Sequence, residues 1–267
     1  MLLENQLMGI FHNFRFPGIA VLLIAAGLVR AHGGEVSIAA AADLTYCLEE
    51  LNAVFHDKNP GVTLKVSNGS SGNFFEQIKN GAPFDIFLSA DMNYPRELAK
   101  AGLGDEKSIM QYATGRIVLW TTNSKVDVSK GLEILRDAQV VKKIAIANPD
   151  HAPYGRAAKA ALEHYDLWKT ITDRIVTGEN ISQTAQFVQT GNADAGIVAL
   201  SLVMSPRLAK IGKYYLIPAE SYPPLEQGAI LTKSGMAKAD ARAYMEFLRS
   251  DAARKIFDKY GFTLAAK

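Results

Sequence analysis

Apolar and polar positions along the chain fall into short alternating segments. Residues 36–41 and 84–88 are apolar runs of strand length, and the interval 44–55 between them carries apolar residues at helical spacing. The same patterns recur further along, where they predict strands at 144–147 and 195–199 and helices at 156–165 and 181–189. Because strands that alternate with helices favour mixed, mostly parallel sheets with helices on both faces, the pattern predicts an α/β fold.

Two further strand-like stretches, at 116–122 and 222–232, divide the alternating segments into two units. We therefore expect two lobes with a cleft between them. The first comprises residues 35–118 together with 227–267, and the second comprises residues 119–226. In sheets of this class, ligands bind beyond the carboxyl ends of the strands, where helices begin.

The first 33 residues have the pattern of a secretory signal peptide. Arg15 precedes an apolar run at 17–29, and the small residues Ala31, Gly33 and Gly34 follow it. The run is short for a membrane span, although an uncleaved anchor is the alternative interpretation. The pattern predicts export, with residues 1–33 removed and a periplasmic location.

Composition narrows the functional classes. The chain has 267 residues, of which 48% are hydrophobic and 21% charged, with a formal net charge of +2. Lys and Arg are scattered rather than clustered, so a nucleic-acid partner is not expected. Cys47 is the only cysteine, which excludes an internal disulfide and favours a small buried side chain. Five scattered histidines lack the spacing of a zinc site, so no bound metal cation is expected.

Four loops enter predicted helices with small or helix-capping residues, at 41–44, 69–72, 152–155 and 179–182. A helix start leaves backbone N–H groups unpaired and carries partial positive charge. Several such starts that converge would bind an anion without Lys or Arg. Asp43, Ser71 and Asn180 are also good N-cap residues, and capping alone would explain each of them.

The order of several segments resembles a known family. Ala-Ala-Ala-Asp-Leu at 40–44, Asn-Gly-Ser-Ser-Gly-Asn-Phe at 68–74 and Asn-Gly-Ala-Pro-Phe-Asp-Ile-Phe-Leu-Ser-Ala-Asp at 80–91 are similar to the periplasmic molybdate-binding proteins of ABC transporters. Further similar segments lie at 147–155, 196–199 and 256–262. The resemblance covers about residues 35–262 and places the chain among type II periplasmic binding proteins.

The resemblance implies a hinged two-lobed receptor that is not an enzyme and uses no cofactor. It implies molybdate or tungstate as the ligand, a permease in the inner membrane as the partner, and a monomeric protein. Carried over by position, the oxyanion-binding residues are Asp43, Ser71, Tyr154 and Ile181. Ser71 would donate its hydroxyl and N–H, whereas Tyr154 and Ile181 would donate backbone N–H groups from the second lobe.

Two positions depart from the family pattern. Ala199 stands where some relatives have a tyrosine whose hydroxyl reaches the ligand, and Asp43 stands where relatives have a neutral donor. Two unit charges about 4 Å apart repel by roughly 4 kcal/mol at an effective dielectric of 20, so an ionised Asp43 cannot face a dianion. Three arrangements remain open: the carboxylate caps its own helix with a low pKa, it is protonated and donates, or it accepts a proton from the ligand. We favour the cap.

Two other functions compete with a molybdate receptor. The first is a receptor for another tetrahedral oxyanion such as phosphate, sulfate or chromate, which Asp43 would favour if the ligand is protonated. The second is an enzyme that uses Asp43, Asp85 and Asp91 as acid–base groups. The sequence lacks a nucleophile elbow, a P-loop and a dinucleotide glycine fingerprint, which argues against the enzyme.

Overall fold

A computed structural model describes residues 34–264 of the chain. The expected signal peptide, residues 1–33, lies outside the described residues. Within residues 34–264, no helix is both long enough and apolar enough to cross a membrane.

Strands and helices alternate as the sequence predicts. In chain order the strands are β1 (Glu35–Ala41), β2 (Thr63–Gly69), β3 (Ile86–Ser89), β4 (Met110–Gly115), β5 (Ile117–Thr121), β6 (Ile144–Ala147), β7 (Ile175–Gly178), β8 (Ala195–Ala199), β9 (Lys213–Leu216), β10 (Leu225–Leu231) and β11 (Thr263–Leu264). The α-helices are α1 (Thr45–Lys58), α2 (Ser71–Lys79), α3 (Asn93–Lys100), α4 (Pro153–His164), α5 (Trp168–Ile171), α6 (Ile181–Gln189), α7 (Leu200–Val203), α8 (Ala239–Arg249) and α9 (Asp251–Lys259). 3-10 helices lie at Ala42–Leu44, Glu106–Ser108, Val128–Arg136, Thr172–Arg174 and Ala219–Ser221. All are short, and Val128–Arg136 consists of two short segments on either side of a kink at Gly131.

The strands form two mixed sheets. A six-stranded sheet has the order β11-β4-β10-β3-β1-β2, and a five-stranded sheet has the order β7-β6-β8-β5-β9. In the first, β1 runs parallel to β2 and β3, and in the second, β6 runs parallel to β7 and β8. The mixed α/β class is therefore confirmed.

The chain passes from one sheet to the other between β4 and β5 and returns between β9 and β10. Both β5 and β10 run antiparallel to their neighbours, so the parallel share of each sheet is smaller than the sequence predicts. The two passages lie close to the expected lobe boundaries at residues 118 and 227. The boundaries themselves stay a prediction.

Helical periodicity places the apolar face of each long helix on a sheet. Helix α1 buries Cys47, Leu48, Leu51 and Phe55, which recur at three- and four-residue spacing along one face. Cys47 is fully buried and unpaired, which confirms its interpretation as a small apolar side chain. Along the interior strand β1, residues 38–41 are buried, as a strand covered by helices on both faces requires.

Candidate functional site

The four helix-entry loops meet at one small cavity. Each follows the carboxyl end of a parallel strand, namely β1, β2, β6 or β7, and parallel strands bring those ends to the same edge of their sheet. The cavity is lined by Ala41, Ala42, Asp43, Gly69, Ser70, Ser71, Ala90, Ala152, Pro153, Tyr154 and Ile181. All four residues predicted from the sequence are therefore brought together. That they bind a ligand stays a prediction.

The size of the cavity restricts what it can hold. Its volume is about 10 Å³, far below the roughly 300–1,000 Å³ of pockets that hold organic ligands. None of its lining residues is Lys, Arg or His. The space therefore suits a compact ion that is held by hydrogen bonds rather than by ion pairs.

Three α-helices begin at the cavity wall. Ser71 is the first residue of α2, Ile181 is the first residue of α6, and Tyr154 follows Pro153 at the start of α4. First-turn N–H groups have no partner within their own helix, and the helix dipole adds partial positive charge there. Converging starts of this kind are suited to an anion.

Ser71 is held with its hydroxyl proton free to donate. Its Oγ accepts a hydrogen bond of 2.9 Å from the N–H of Ala90, and the side chain is buried. The helix cap is its neighbour Ser70, whose Oγ accepts from the N–H of Asn73. The capping explanation for Ser71 is therefore wrong, because α2 begins at Ser71 itself, one residue earlier than a Ser71 cap requires. Asn180 does cap α6, as its residue type predicts.

Asp43 does not cap its helix, and the arrangement that we favoured from the sequence is wrong. The 3-10 helix Ala42–Leu44 has Ala41 at its N-cap position and no side-chain cap bond. Instead, Asp43 Oδ2 accepts a hydrogen bond of 2.9 Å from the hydroxyl of Tyr154, and Oδ1 is buried without a protein partner. Tertiary packing decides the orientation, because α4 delivers a phenol donor to this carboxyl group.

The surroundings of Asp43 disfavour its charge. The side chain is 1% exposed, and burial raises its pKa from the ordinary 3.8 to about 7, against a smaller lowering by the Tyr154 hydrogen bond. The low pKa expected for a capping carboxylate is therefore also wrong. Asp43 is the titratable side chain in the cavity wall whose charge changes near neutral pH.

The hydroxyl of Tyr154 is a feature that sequence reasoning missed, since only its backbone N–H was expected to matter. It donates to Asp43, and the side-chain amide of Gln227 lies 3.4 Å from it. Gln227 in turn accepts from the hydroxyl of Tyr112 at 3.1 Å. Ala199, the last residue of β8, is buried and carries no hydroxyl. The phenol in contact with Asp43 is that of Tyr154 in α4. No local signal in the sequence links residues that lie 111 positions apart.

Contacts across the rim join the helix starts that flank the two sheets. The N–H of Gly72 donates to the carbonyl oxygen of His151 at 2.9 Å, and Ser70 Oγ lies 2.9 Å from His151 Nδ1. Arg156 at the start of α4 contacts Asp91 at 2.6 Å. These contacts bring α2 and α4 together around the cavity.

The carboxylates of the enzyme hypothesis have separate partners. Asp85 is buried and accepts from the N–H of Ser37 and from Lys238 Nζ, while Asp91 pairs with Arg156. Neither Asp85 nor Asp91 belongs to the cavity wall that contains Asp43. Within residues 34–264, no three His, Cys, Asp or Glu side chains are grouped as ligands for a metal ion.

Comparison with known proteins agrees with this geometry. The sequence profile described as bacterial extracellular solute-binding protein matches residues 36–263. The molybdate-binding protein ModA of Rhodobacter capsulatus is 38% identical over 247 residues, which cover 92% of this chain and 95% of that protein. ModA of Azotobacter vinelandii is 35% identical and covers 91% and 96%. The solved structure of the Azotobacter vinelandii periplasmic molybdate-binding protein superposes with a TM-score of 0.80 at 34% identity, covering 86% of this chain and 100% of that chain.

Proposed function

The chain belongs to the family of bacterial extracellular solute-binding proteins, and from this premise we propose that it captures molybdate or tungstate for an ABC transporter. The observation that carries the proposal is the small cavity at which α2, α4 and α6 begin, with no cationic side chain in its wall. Its relatives at 35% and 38% identity are molybdate-binding proteins. The ligand is a bare oxyanion, and Asp43, Ser71, Tyr154 and Ile181 contact it.

The remaining parts of the proposal follow from this role. The protein acts in the periplasm after removal of residues 1–33, as a monomer, and delivers the oxyanion to a permease in the inner membrane. It catalyses no reaction, because the cavity wall contains one carboxyl group and no paired acid and base. It uses no cofactor, because the cavity is too small for an organic one.

A phosphate receptor is the second candidate, and the unpartnered Oδ1 of Asp43 favours it. An ionised Asp43 could accept the proton of hydrogen phosphate, whereas it would repel a fully ionised dianion. Isothermal titration of the protein purified after export, with molybdate, tungstate, sulfate and phosphate, decides between the two.

We expect molybdate and tungstate to bind at least about tenfold more tightly than phosphate, a difference of about 1.4 kcal/mol. Their affinity should fall little with added inert salt, because a buried site without ion pairs is poorly screened. Tighter binding of phosphate would replace molybdate with the second candidate. If none of the four anions binds, the receptor function itself is refuted.

A further inference from the structure

We propose that Asp43 takes up one proton from solvent when the oxyanion enters and then, as a neutral carboxylic acid, donates a hydrogen bond from Oδ1 to it. This inference rests on the proposed oxyanion-binding function and concerns the protonation state of the same cavity. It makes Asp43 a specificity-determining residue, since it favours a fully ionised oxyanion that has vacant acceptors over one that brings its own proton. Tyr154 is then a positioning residue for the carboxyl group.

The geometry assigns different tasks to the two carboxyl oxygens. Oδ2 accepts a hydrogen bond from the Tyr154 hydroxyl at 2.9 Å. Oδ1 of the same side chain, which lines the cavity, is buried and has no hydrogen-bond partner in the protein. A buried polar atom without a partner is costly, and an ionised carboxylate offers only acceptors there. A proton on Oδ1 converts it into a donor, which is the group that an oxyanion oxygen can satisfy.

No opposite charge near Asp43 could keep it ionised beside an anion. The titratable groups that face it are Tyr154 from α4, Tyr112 from β4 and Cys47 from α1. Burial raises the pKa of each of the three well above its ordinary value, so all of them are neutral at physiological pH. Helices α6 and α7, which also pack against the turn of Asp43, contain no charged residue, and Lys65 of the adjoining strand β2 is exposed and pairs with Glu35.

Other charged groups lie at the rim. His151 contacts Ser70 through Nδ1 and lies 3.5 Å from Glu179 through Nε2, and the ion pair of Arg156 with Asp91 is satisfied internally. His151 is an ionisable side chain beside the cavity, so its contribution must be separated from that of Asp43 by experiment.

Protonation of Asp43 costs little free energy near neutral pH. Burial raises its pKa to about 7 even against the lowering by the Tyr154 hydrogen bond, and an anion placed beside it would raise the pKa further by like-charge repulsion. Above about pH 7 the free protein is ionised at Asp43, and each binding event must then take up one proton. The affinity should therefore fall by up to about tenfold per pH unit above that point.

The test is isothermal titration with molybdate at about pH 6, 7, 8 and 9, in two buffers of different ionisation enthalpy at each pH. Molybdate itself stays a dianion over this range, so any proton taken up is bound by the protein. We expect close to one proton per ligand at about pH 9 and close to none at about pH 6. Asp43→Asn keeps an N–H donor but cannot titrate, so it should bind without proton uptake and with a nearly constant affinity.

Two more variants test the roles of Tyr154 and His151. Tyr154→Phe removes a hydrogen bond that lowers the pKa of Asp43, so the midpoint of the pH dependence should move upward, an effect that a purely structural role would not produce. His151→Gln should keep the native pH dependence, whatever its effect on affinity.

The outcomes separate this inference from the receptor function. Molybdate binding without proton uptake at about pH 9 overturns the inference and leaves the receptor function intact. Proton uptake that persists in Asp43→Asn also overturns it, because another group would then carry the proton. If molybdate binds neither the native protein nor Asp43→Asn at any pH, both the molybdate-receptor function and the inference are refuted.

Discussion

Replacing Asp43 with asparagine should change the stability of the ligand-free protein in a pH-dependent way. The side chain is buried, and its pKa rises from 3.8 to about 7 on folding because burial removes water from the charged form. A raised pKa means that the folded protein holds the proton more tightly than the unfolded chain does. The stability linked to Asp43 is therefore fully present below about pH 4 and is lost as the pH rises to about 7.

The magnitude follows from the shift. About three pKa units at about 1.4 kcal/mol each correspond to a loss of about 4 kcal/mol once Asp43 is ionised. Asp43→Asn avoids this loss, and its amide oxygen still accepts from the Tyr154 hydroxyl. Its amide nitrogen then occupies the place of Oδ1, which has no partner in the native protein either, but the amide leaves a second N–H donor unpaired there, which costs about 1–3 kcal/mol. The variant should therefore be less stable than the native protein at about pH 4 and more stable, by about 1–3 kcal/mol, at about pH 8.

Urea unfolding of both proteins at several pH values, followed by the fluorescence of Trp120 and Trp168, measures this difference in the free energy of unfolding. Asp127→Asn is the matched control. Asp127 is exposed, and hydrogen bonds from Ser129 lower its pKa, so stability linked to it is lost only as the pH falls below about 4. Its difference from the native protein should be flat between about pH 5 and 8. An equally flat difference for Asp43→Asn would refute the reasoning, because Asp43 would then be solvated and ionised in the folded protein.

Two other substitutions test the cavity wall. Ser71→Ala should weaken molybdate binding by about 1–3 kcal/mol, because the anion loses a hydroxyl donor, and an unchanged dissociation constant in titration calorimetry would remove the hydroxyl from the site. Gly72→Ala would place a Cβ 2.5 Å from the carbonyl oxygen of His151. The substitution should therefore separate α2 from α4 and cost about 1–3 kcal/mol of binding free energy for molybdate. Native affinity in the same assay would show that molybdate binding does not need the close approach of the two helices.

The periodicity of apolar residues could predict the fold class because burial is locally encoded. Residues 38–41 of β1 are buried, and the helical spacing of α1 and α6 places their apolar faces on the sheets. Because the prediction depends on apolar periodicity, it does not identify strands β4, β7 and β9. Each has a mixed or weak apolar pattern, and β9 is largely exposed, so pairing with a neighbouring strand rather than hydrophobicity defines it.

The candidate site, too, could be predicted from the sequence only in part. The sequence by itself determined which loops enter helices, because small and capping residues mark helix starts, and those loops contain Asp43, Ser71, Tyr154 and Ile181. Only the tertiary structure decided what their side chains do. Ser71 leaves capping to Ser70 and accepts from Ala90 of another loop, and Asp43 turns to a tyrosine that lies 111 residues away. Those partners, and the burial that keeps Asp43 from ionising, depend on how the sheets and helices pack, and packing between distant segments leaves no local trace in the sequence.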